Sequence, residues 1–515
     1  MELLLKNFKT KVVFGIILVF VLSFFYLKQK PLFNEKDLSM KIASSFTGNS
    51  HDLDPAKILY QNEYMILDNI YSPLVEYSTE GKLVSGIAEK FEWDKNTAVF
   101  KIRKDIKTIT GQEIDAEDAA MSLKRLLILQ SNTHGDLKQM LCQGLKLTKL
   151  SDPCPGIAIL DRKTLLLKFP KKEFFLFPKL TAIDFAVIPK KAINPASLKI
   201  IDYKNTSGPY YIYKDLGDGR IELRTNTFHY HFSNKIPQKT TLIPSGLVDS
   251  KESISLFSKG AIDHITTKDP SAWMPHDYAK THKNTELHKT HPIHMYVVVF
   301  TDKGMTRLSR EERFFIGRNL KLLFLRKYLQ RPGYQETSQI IPLFGEGRLS
   351  RNQEAILAQN VLNIKKKVLT KHFTCWNYFG AEKNDLKTFF PKGKFIWSSD
   401  IPTPANNKYD ELPDCYLYQG DASFYEDIGF ISYYINISFW DIPENKKSIW
   451  LENYEAASSR KDRLNLLKSL HFSSLDSGKI FPIAFRPYYA LVRKPWKMDF
   501  PLYFAKNPLW KISKN

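Results

Sequence analysis

The chain has 515 residues, 43% of them hydrophobic and 25% charged, with a formal net charge of +21. That length and apolar share fill a core in more than one lobe, and the chain shows no repeat or low-complexity tract. The positive charge fits acidic surroundings or cargo, whether anionic headgroups, envelope polymers or acidic peptides, and equally a diffusely basic surface.

Chain order begins with Lys6, Lys9 and Lys11, then an uncharged run from Val12 to Leu27, closed by Lys28 and Lys30. Basic residues ahead of an apolar run keep the N-terminus in the cytoplasm and send the body across the membrane. The bulky Phe24-Phe25-Tyr26-Leu27 offers no small-x-small cleavage site, so residues 1–30 are expected to remain as a signal anchor rather than a cleaved signal peptide. The first cysteine is Cys142, which excludes a lipoprotein anchor. Residues 1–30 carry five lysines against Glu2, leaving about +17 on the exported body. Export and the lack of any recognition motif argue against a nucleic-acid partner. In an oxidising compartment four cysteines suggest disulfides. Cys142 with Cys154 and Cys375 with Cys415 is the simplest of three connectivities, and Cys-x-x-Cys metal spacing is missing.

Beyond the anchor, Lys41 to Phe46 has the pattern of a first strand. Glu80-Gly81 separates Leu74–Tyr77 from Lys82–Val84 as a hairpin would. Asp115 precedes Glu117 and Asp118, which suits the start of a helix whose apolar run is Ala119 to Leu129. Asp184 to Pro189 has the pattern of a strand, and Gly208–Tyr213 and Ile221–Arg224 that of a pair around Gly217-Asp218-Gly219. The continuous apolar run Met295–Phe300 predicts a buried strand. Ser309-Arg310-Glu311-Glu312 is a capping box for a helix that Pro332-Gly333 ends, and Ser459–Leu470 is an amphipathic helix.

Several segments resemble the extracellular solute-binding proteins of family 5, which capture oligopeptides, dipeptides or nickel for ABC importers. In order these are Leu53-Asp54-Pro55, then Tyr71, Leu74 and Val75, then Glu80-Gly81. Gly86, Ala88, Glu89 and Trp93 follow, then Phe100 and Arg103, Gly111, Ala116 and Asp118, and Thr206-Ser207-Gly208-Pro209-Tyr210. The likeness is thinner beyond Ser250; of the family's Val-Arg-x-Ala-Leu helix only Arg313 is kept. It implies an α/β, two-lobed periplasmic-binding-protein fold (type II, large peptide-binding subclass) with an extra inserted small lobe. Hinge lobe I would comprise residues 38–58, 182–275 and 483–515, the inserted small lobe 59–181, and lobe II 276–482. Phe481-Pro482-Ile483-Ala484 resembles the family's closing crossover.

The resemblance also implies an oligopeptide ligand, ABC-transporter permease partners and no cofactor. Family members pair an Asp with the peptide's α-ammonium in an aromatic-x-x-Asp segment. Tyr418-Gln419-Gly420-Asp421 fits it best, making Asp421 the candidate anchor and Tyr418 a candidate cleft aromatic, with Asp414 and Asp427 as fallbacks. The family's Asp-Pro after the anchor is replaced here by Ala422-Ser423-Phe424-Tyr425-Glu426-Asp427, so Asp421 could instead cap a turn or helix. A nickel- or haem-type ligand would need His229 and His231, or His276, His282, His288, His291 and His294; solvated histidines are the plainer reading. No Gly-x-Ser-x-Gly elbow, phosphate loop or His-Glu-x-x-His helix occurs, so no enzyme is expected. The remaining alternative is a membrane-tethered sensor or envelope interaction protein that keeps the fold.

Overall fold

The computed structural model describes residues 38–44, 53–58, 61–130, 134–244, 250–267, 273–342, 345–365, 367–377, 383–397, 413–420, 440–503, 506 and 508–514. It divides into Met1–Ser39 and a second unit, Met40–Asn515. The apolar run 12–27 lies outside the described residues. Among the described residues no helix is long and apolar enough to cross a membrane.

The chain enters its first sheet with β1 (Ser39–Ser44), then leaves it for a separate four-stranded sheet and a hairpin. The hairpin is β2 (Val75–Tyr77) with β3 (Leu83–Ser85). The sheet is built from β4 (Ala88–Asp94), β5 (Thr97–Ile102), β6 (Ile157–Asp161) and β7 (Thr164–Lys168), ordered β4-β5-β7-β6. The helix Ala116–Leu129 covers it, and its apolar face joins Phe100, Leu165 and Leu167 in one core. Asp115 caps that helix, accepting from the Glu117 and Asp118 amides at 3.0 and 3.1 Å, while Asp118 accepts from the Asp115 amide at 2.9 Å.

The resembling segments turn out to be joints between these pieces. Buried Asp54 caps the turn Pro55–Lys57 and pairs with fully buried Arg125 of the long helix. Gly208 donates to Ile70 O at 2.9 Å, and a Cβ there would lie 2.3 Å from the Ile70 carbonyl carbon. Gly86 likewise has no room for a Cβ, which would stand 2.6 Å from Pro73 O. Arg103 holds that same turn by donating to Gly86 O at 2.7 Å.

The expected strand Asp184–Pro189 is instead a 3-10 turn, Ile183–Phe185, followed by a single bridge from Val187 to Ser72. The Phe185 and Ala186 amides close the turn onto Ala182 O and Ile183 O, the Val187 amide reaches Ser72 O, and the Ile188 amide donates to the Ser122 hydroxyl at 2.8 Å, so no ladder is formed. The chain then re-enters the first sheet through β8 (Tyr210–Asp215), β9 (Ile221–Thr225), β10 (Lys239–Pro244), β11 (His264–Thr267) and β12 (Thr285–Lys289).

The second sheet begins with β13 (His294–Phe300), every residue of it buried. It gathers β14 (Gln335–Glu336), β15 (Phe373–Asn377), β16 (Gly393–Trp397), β17 (Cys415–Gly420) and β18 (Ile480–Arg486) in the order β14-β18-β13-β17-β15-β16. The helix Arg310–Tyr328 packs beside it, begun by the Ser309–Glu312 capping box. Immediately after β18, β19 (Tyr489–Arg493) returns to the first sheet, which reads β12-β19-β11-β1-β10-β9-β8. A final hairpin, β20 (Trp496–Met498) with β21 (Ile512–Lys514), ends the chain.

Sheet membership shifts two boundaries taken from the sequence. β12 pairs with β19 throughout, so the first sheet extends past residue 276 as far as Lys289. Its Thr-Glu-Leu-His-Lys composition lacks the apolar run that made β13 conspicuous. β18 stays paired with β13 to Arg486, so the return falls after, not at, residue 483.

Cys142 is joined to Cys154, and Cys375 to Cys415, with Cα separations of 4.1 and 4.6 Å. The second bond links facing residues of the parallel strands β15 and β17. Non-reducing peptide mapping should recover both pairs, and Cys142→Ala with Cys154→Ala should lower unfolding stability by about 2–4 kcal/mol.

Three interior histidines contribute to the response to acid. Burial holds His264 of β11 and His471 of the helix Arg460–Asp476 down at about 3, and holds His229 well below its ordinary value. Folded, they resist protonation, whereas the unfolded chain takes up these protons near pH 6.5. Their contribution is therefore complete above about pH 6.5 and is lost as pH falls towards 3, by up to about 1.4 kcal/mol per pH unit for each. Urea titrations between pH 7 and 5 should show His264→Leu reducing this slope by about one proton.

Candidate functional site

The two sheets are joined by two crossovers running side by side, Thr290–Ile293 between β12 and β13 and Pro487–Tyr488 between β18 and β19. They are laced together: the Thr290 amide donates to Tyr488 O at 3.1 Å, and the Tyr488 amide to the Thr290 hydroxyl at 2.8 Å. The Ile293 amide donates to Arg486 O. Beside them β13 and β17 pair antiparallel, with Val297 facing Tyr418, Tyr296 facing Gln419 and Met295 facing Gly420.

Successive residues of β13 pack on opposite faces of the sheet. Tyr296, Val298 and Phe300 join the core under the helix Arg310–Tyr328, whereas Met295, Val297 and Val299 join another core that contains Phe175 of the inserted lobe. Tyr418, half-buried, packs on this second core together with Phe174 and Tyr77. The proposed cleft aromatic thus stands on the face of the second sheet turned to the inserted lobe. β17 pairs in parallel with β15 from Cys375 with Cys415 to Asn377 with Leu417, and Asn377 is the last of the described residues 367–377.

Asp421 and Asp427 lie outside the described residues. Asp414 does not suit an anchor: it is fully buried, takes Arg307 Nη1 on both oxygens at 2.9 and 3.0 Å, and accepts the Thr374 amide at 2.8 Å. Its carboxylate fixes the start of β17 against β15. From the end of β17 a polar chain leads to the crossovers, with Gln419 Oε1 at 3.4 Å from His294 Nε2 and His294 Nδ1 at 2.6 Å from the Tyr488 hydroxyl. Arg486, buried beside them, donates through Nε to the Tyr296 hydroxyl at 2.6 Å.

The histidines are distributed over scaffold contacts. His231 pairs with Glu76 at 2.8 Å and stacks on Trp510. His282 stacks on Tyr278, His288 faces Pro501 O, and His276 adjoins Asp277. Among the described residues no group of three or more His, Cys, Asp or Glu side chains could hold a metal ion. Sequence inspection missed a buried Ser72–His229 contact of 3.2 Å, which no motif signals. His229 Nδ1 accepts the His231 amide at 3.1 Å, placing the ring proton on Nε2. A ring in that form donates to Ser72 Oγ and cannot take its proton, so the pair is not a nucleophile with its base.

Two sheets joined by paired crossovers, with a smaller sheet inserted between strands of the first, define a two-lobed α/β fold. No protein-family model matches the sequence. The periplasmic murein peptide-binding protein MppA of Escherichia coli (strain K12) is 24% identical over 201 residues, 37% of this chain and 37% of that protein. The structure of Haemophilus influenzae OppA in complex with RPPGFSPFR has a TM-score of 0.71 at 16% identity, covering 93% of this chain and 99% of that one. The Escherichia coli MppA structure also scores 0.71, at 16% identity over 92% of this chain and 98% of that one, and the unliganded open form of MppA scores 0.61 at 18% over 93% and 97%. The fold is that of the extracellular solute-binding proteins that the sequence segments resemble.

The two aspartates separate cleanly by experiment. Asp414→Ala strands the Thr374 amide and should lower unfolding stability by about 1–3 kcal/mol, measured by denaturant titration, while ligand affinity stays within error of the parent.

Proposed function

We propose that this protein captures oligopeptides between its lobes, outside the cytoplasm, for delivery to the permease of an ABC importer. The observation that carries this reading is Tyr418 on β17: beside the interlobe crossovers it packs on the core that the second sheet shares with Phe174 and Phe175 of the inserted lobe. An extended peptide that adds to a strand edge gains main-chain hydrogen bonds whatever its sequence. Asp421 follows β17 directly in sequence and would take the peptide's α-ammonium, with Tyr418 lining the cleft. Relatives in fold that bind peptides support the substrate class. Binding is hinge closure: the peptide prefers the closed form and shifts the population towards it. The chemistry is recognition without catalysis, consistent with the tautomer of His229. About +17 on the body favours acidic peptides over basic ones.

Residues 12–27 hold the protein to the inner membrane. Protein recovered from the membrane fraction should keep its own N-terminus, and replacement of residues 1–30 by a cleavable signal peptide should release it to the periplasm. Recovery of soluble protein beginning after residue 25 would contradict the tether.

The anchor is tested by calorimetry on peptides first identified by native mass spectrometry of the purified protein. Asp421→Asn keeps shape but removes charge, and should weaken binding by about 1.5–3 kcal/mol, roughly ten- to a hundredfold. N-acetylation of the peptide should cost the parent protein a similar factor and the variant little. Equal affinity of the parent for both peptides would remove Asp421 from the site.

A further inference from the structure

Glu173 and Arg463 are 290 positions apart in sequence and each is only 1% exposed, yet they form an ion pair. Glu173 belongs to a loop of the inserted lobe, and Arg463 to the helix Arg460–Asp476 beside the second sheet. The second Glu173 oxygen accepts the Phe175 amide at 3.2 Å, which shapes the loop so that Phe175 is wholly buried. The ring of Phe175 packs in the core formed by Val297, Leu467 and Trp440, all of them residues of the other side. Lys171 adds a bond to Ala456 O at 3.4 Å.

The opposite boundary of the inserted lobe is built differently. There Asp54 pairs with Arg125, Asn69 accepts the Leu509 amide at 2.7 Å, Asp68 pairs with Lys506, and Thr79 O accepts the Leu502 amide. The C-terminal segment thus binds the inserted lobe to the first sheet along several positions. Opening about the crossovers must then separate the inserted lobe from the second sheet, at the Glu173 loop.

We propose that Glu173, Arg463 and Phe175 form a latch that holds the lobes closed whether or not the cleft is filled. The charges select one mutual position of the two sides, because an ion pair is satisfied at one geometry only. Arg463 Nε finds no hydrogen-bond acceptor among the described residues, so its burial is incompletely compensated. Separated, both charges regain water, which makes the contact reversible. The latch sets how often the empty protein opens, and therefore its rates of ligand entry and release.

Hydrogen exchange on the full, ligand-free chain tests this without any ligand. Glu173→Gln keeps the shape and the Phe175 hydrogen bond but leaves Arg463 unpaired. Amides of residues 173–176 and 460–467 should exchange at least about tenfold faster in this variant, the ratio expected when one charge-assisted contact is lost. The β13 amides should be unchanged. Arg463→Lys, which keeps the charge, should retain most of the protection. Equal exchange in parent and Glu173→Gln overturns the latch, as does acceleration that spreads equally to β13, or a loss in Arg463→Lys as large as in Glu173→Gln. The outcome is independent of peptide binding, so failure of either reading leaves the other standing.

Discussion

The structure depends on one strand that must be apolar on both faces. β13 lies between β18 and β17, and its alternate residues feed two different cores. One core fastens the strand to the helix Arg310–Tyr328; the other meets the inserted lobe. A polar residue on either face would leave an unpaired group in an interior. His294, at the strand's first position, meets this demand through the Tyr488 hydroxyl. Because β13 is fixed on both sides, it fixes β17 beside it, and with β17 the position of Tyr418. The position of Tyr418 is therefore set by residues buried in the two cores.

Features with a local cause were legible in the sequence. The capping boxes at Asp115 and Ser309 need only three residues of spacing, and β13 declares itself by an unbroken apolar run. Gly208 and Gly86 stand where two backbones touch, which gives those short segments a packing reason to keep the residues of the family they resemble. Asp184–Pro189 misled because its apolar content served packing while its amides closed a local turn, one bridge and one side-chain bond instead of a ladder. β12 was overlooked because an edge strand of mixed burial carries no apolar continuity. Tyr418 could be picked out beside an Asp, but choosing Asp421 over Asp414 by sequence relied on spacing from an aromatic. The structure separates them further by showing that Asp414 is already committed to Arg307 and Thr374.

Long-range charge pairing was invisible beforehand. Nothing in the neighbourhood of Glu173 singles out Arg463, and nothing near Asp54 singles out Arg125. Such pairs contribute little net stability compared with apolar residues of the same volume, since both partners must leave water. What they supply here is position: each joins pieces brought together only by the fold, and each tolerates one arrangement. Asp54 and Arg125 act where the inserted lobe rests on the first sheet and have further bonds around them, such as Arg125 Nε to Leu198 O at 2.7 Å.

A protein that opens and closes faces a particular difficulty at its interlobe boundary. A boundary made wholly of apolar side chains would expose grease whenever it opened, at about 25 cal/mol for each Å² uncovered, and would offer other chains a surface to stick to. A boundary made wholly of charges would be weak in water and indifferent to exact position. The Glu173 loop combines the two by pressing a buried phenylalanine home and surrounding it with basic groups, with Arg460 lying over the Phe175 ring at 5.5 Å and Arg463 over Phe174 at 5.2 Å. When closed, the apolar contact gives adhesion and the ion pair gives register. When open, the lysines and arginines around the loop keep it hydrated and repel like-charged copies, so a net positive chain guards its own moving joint.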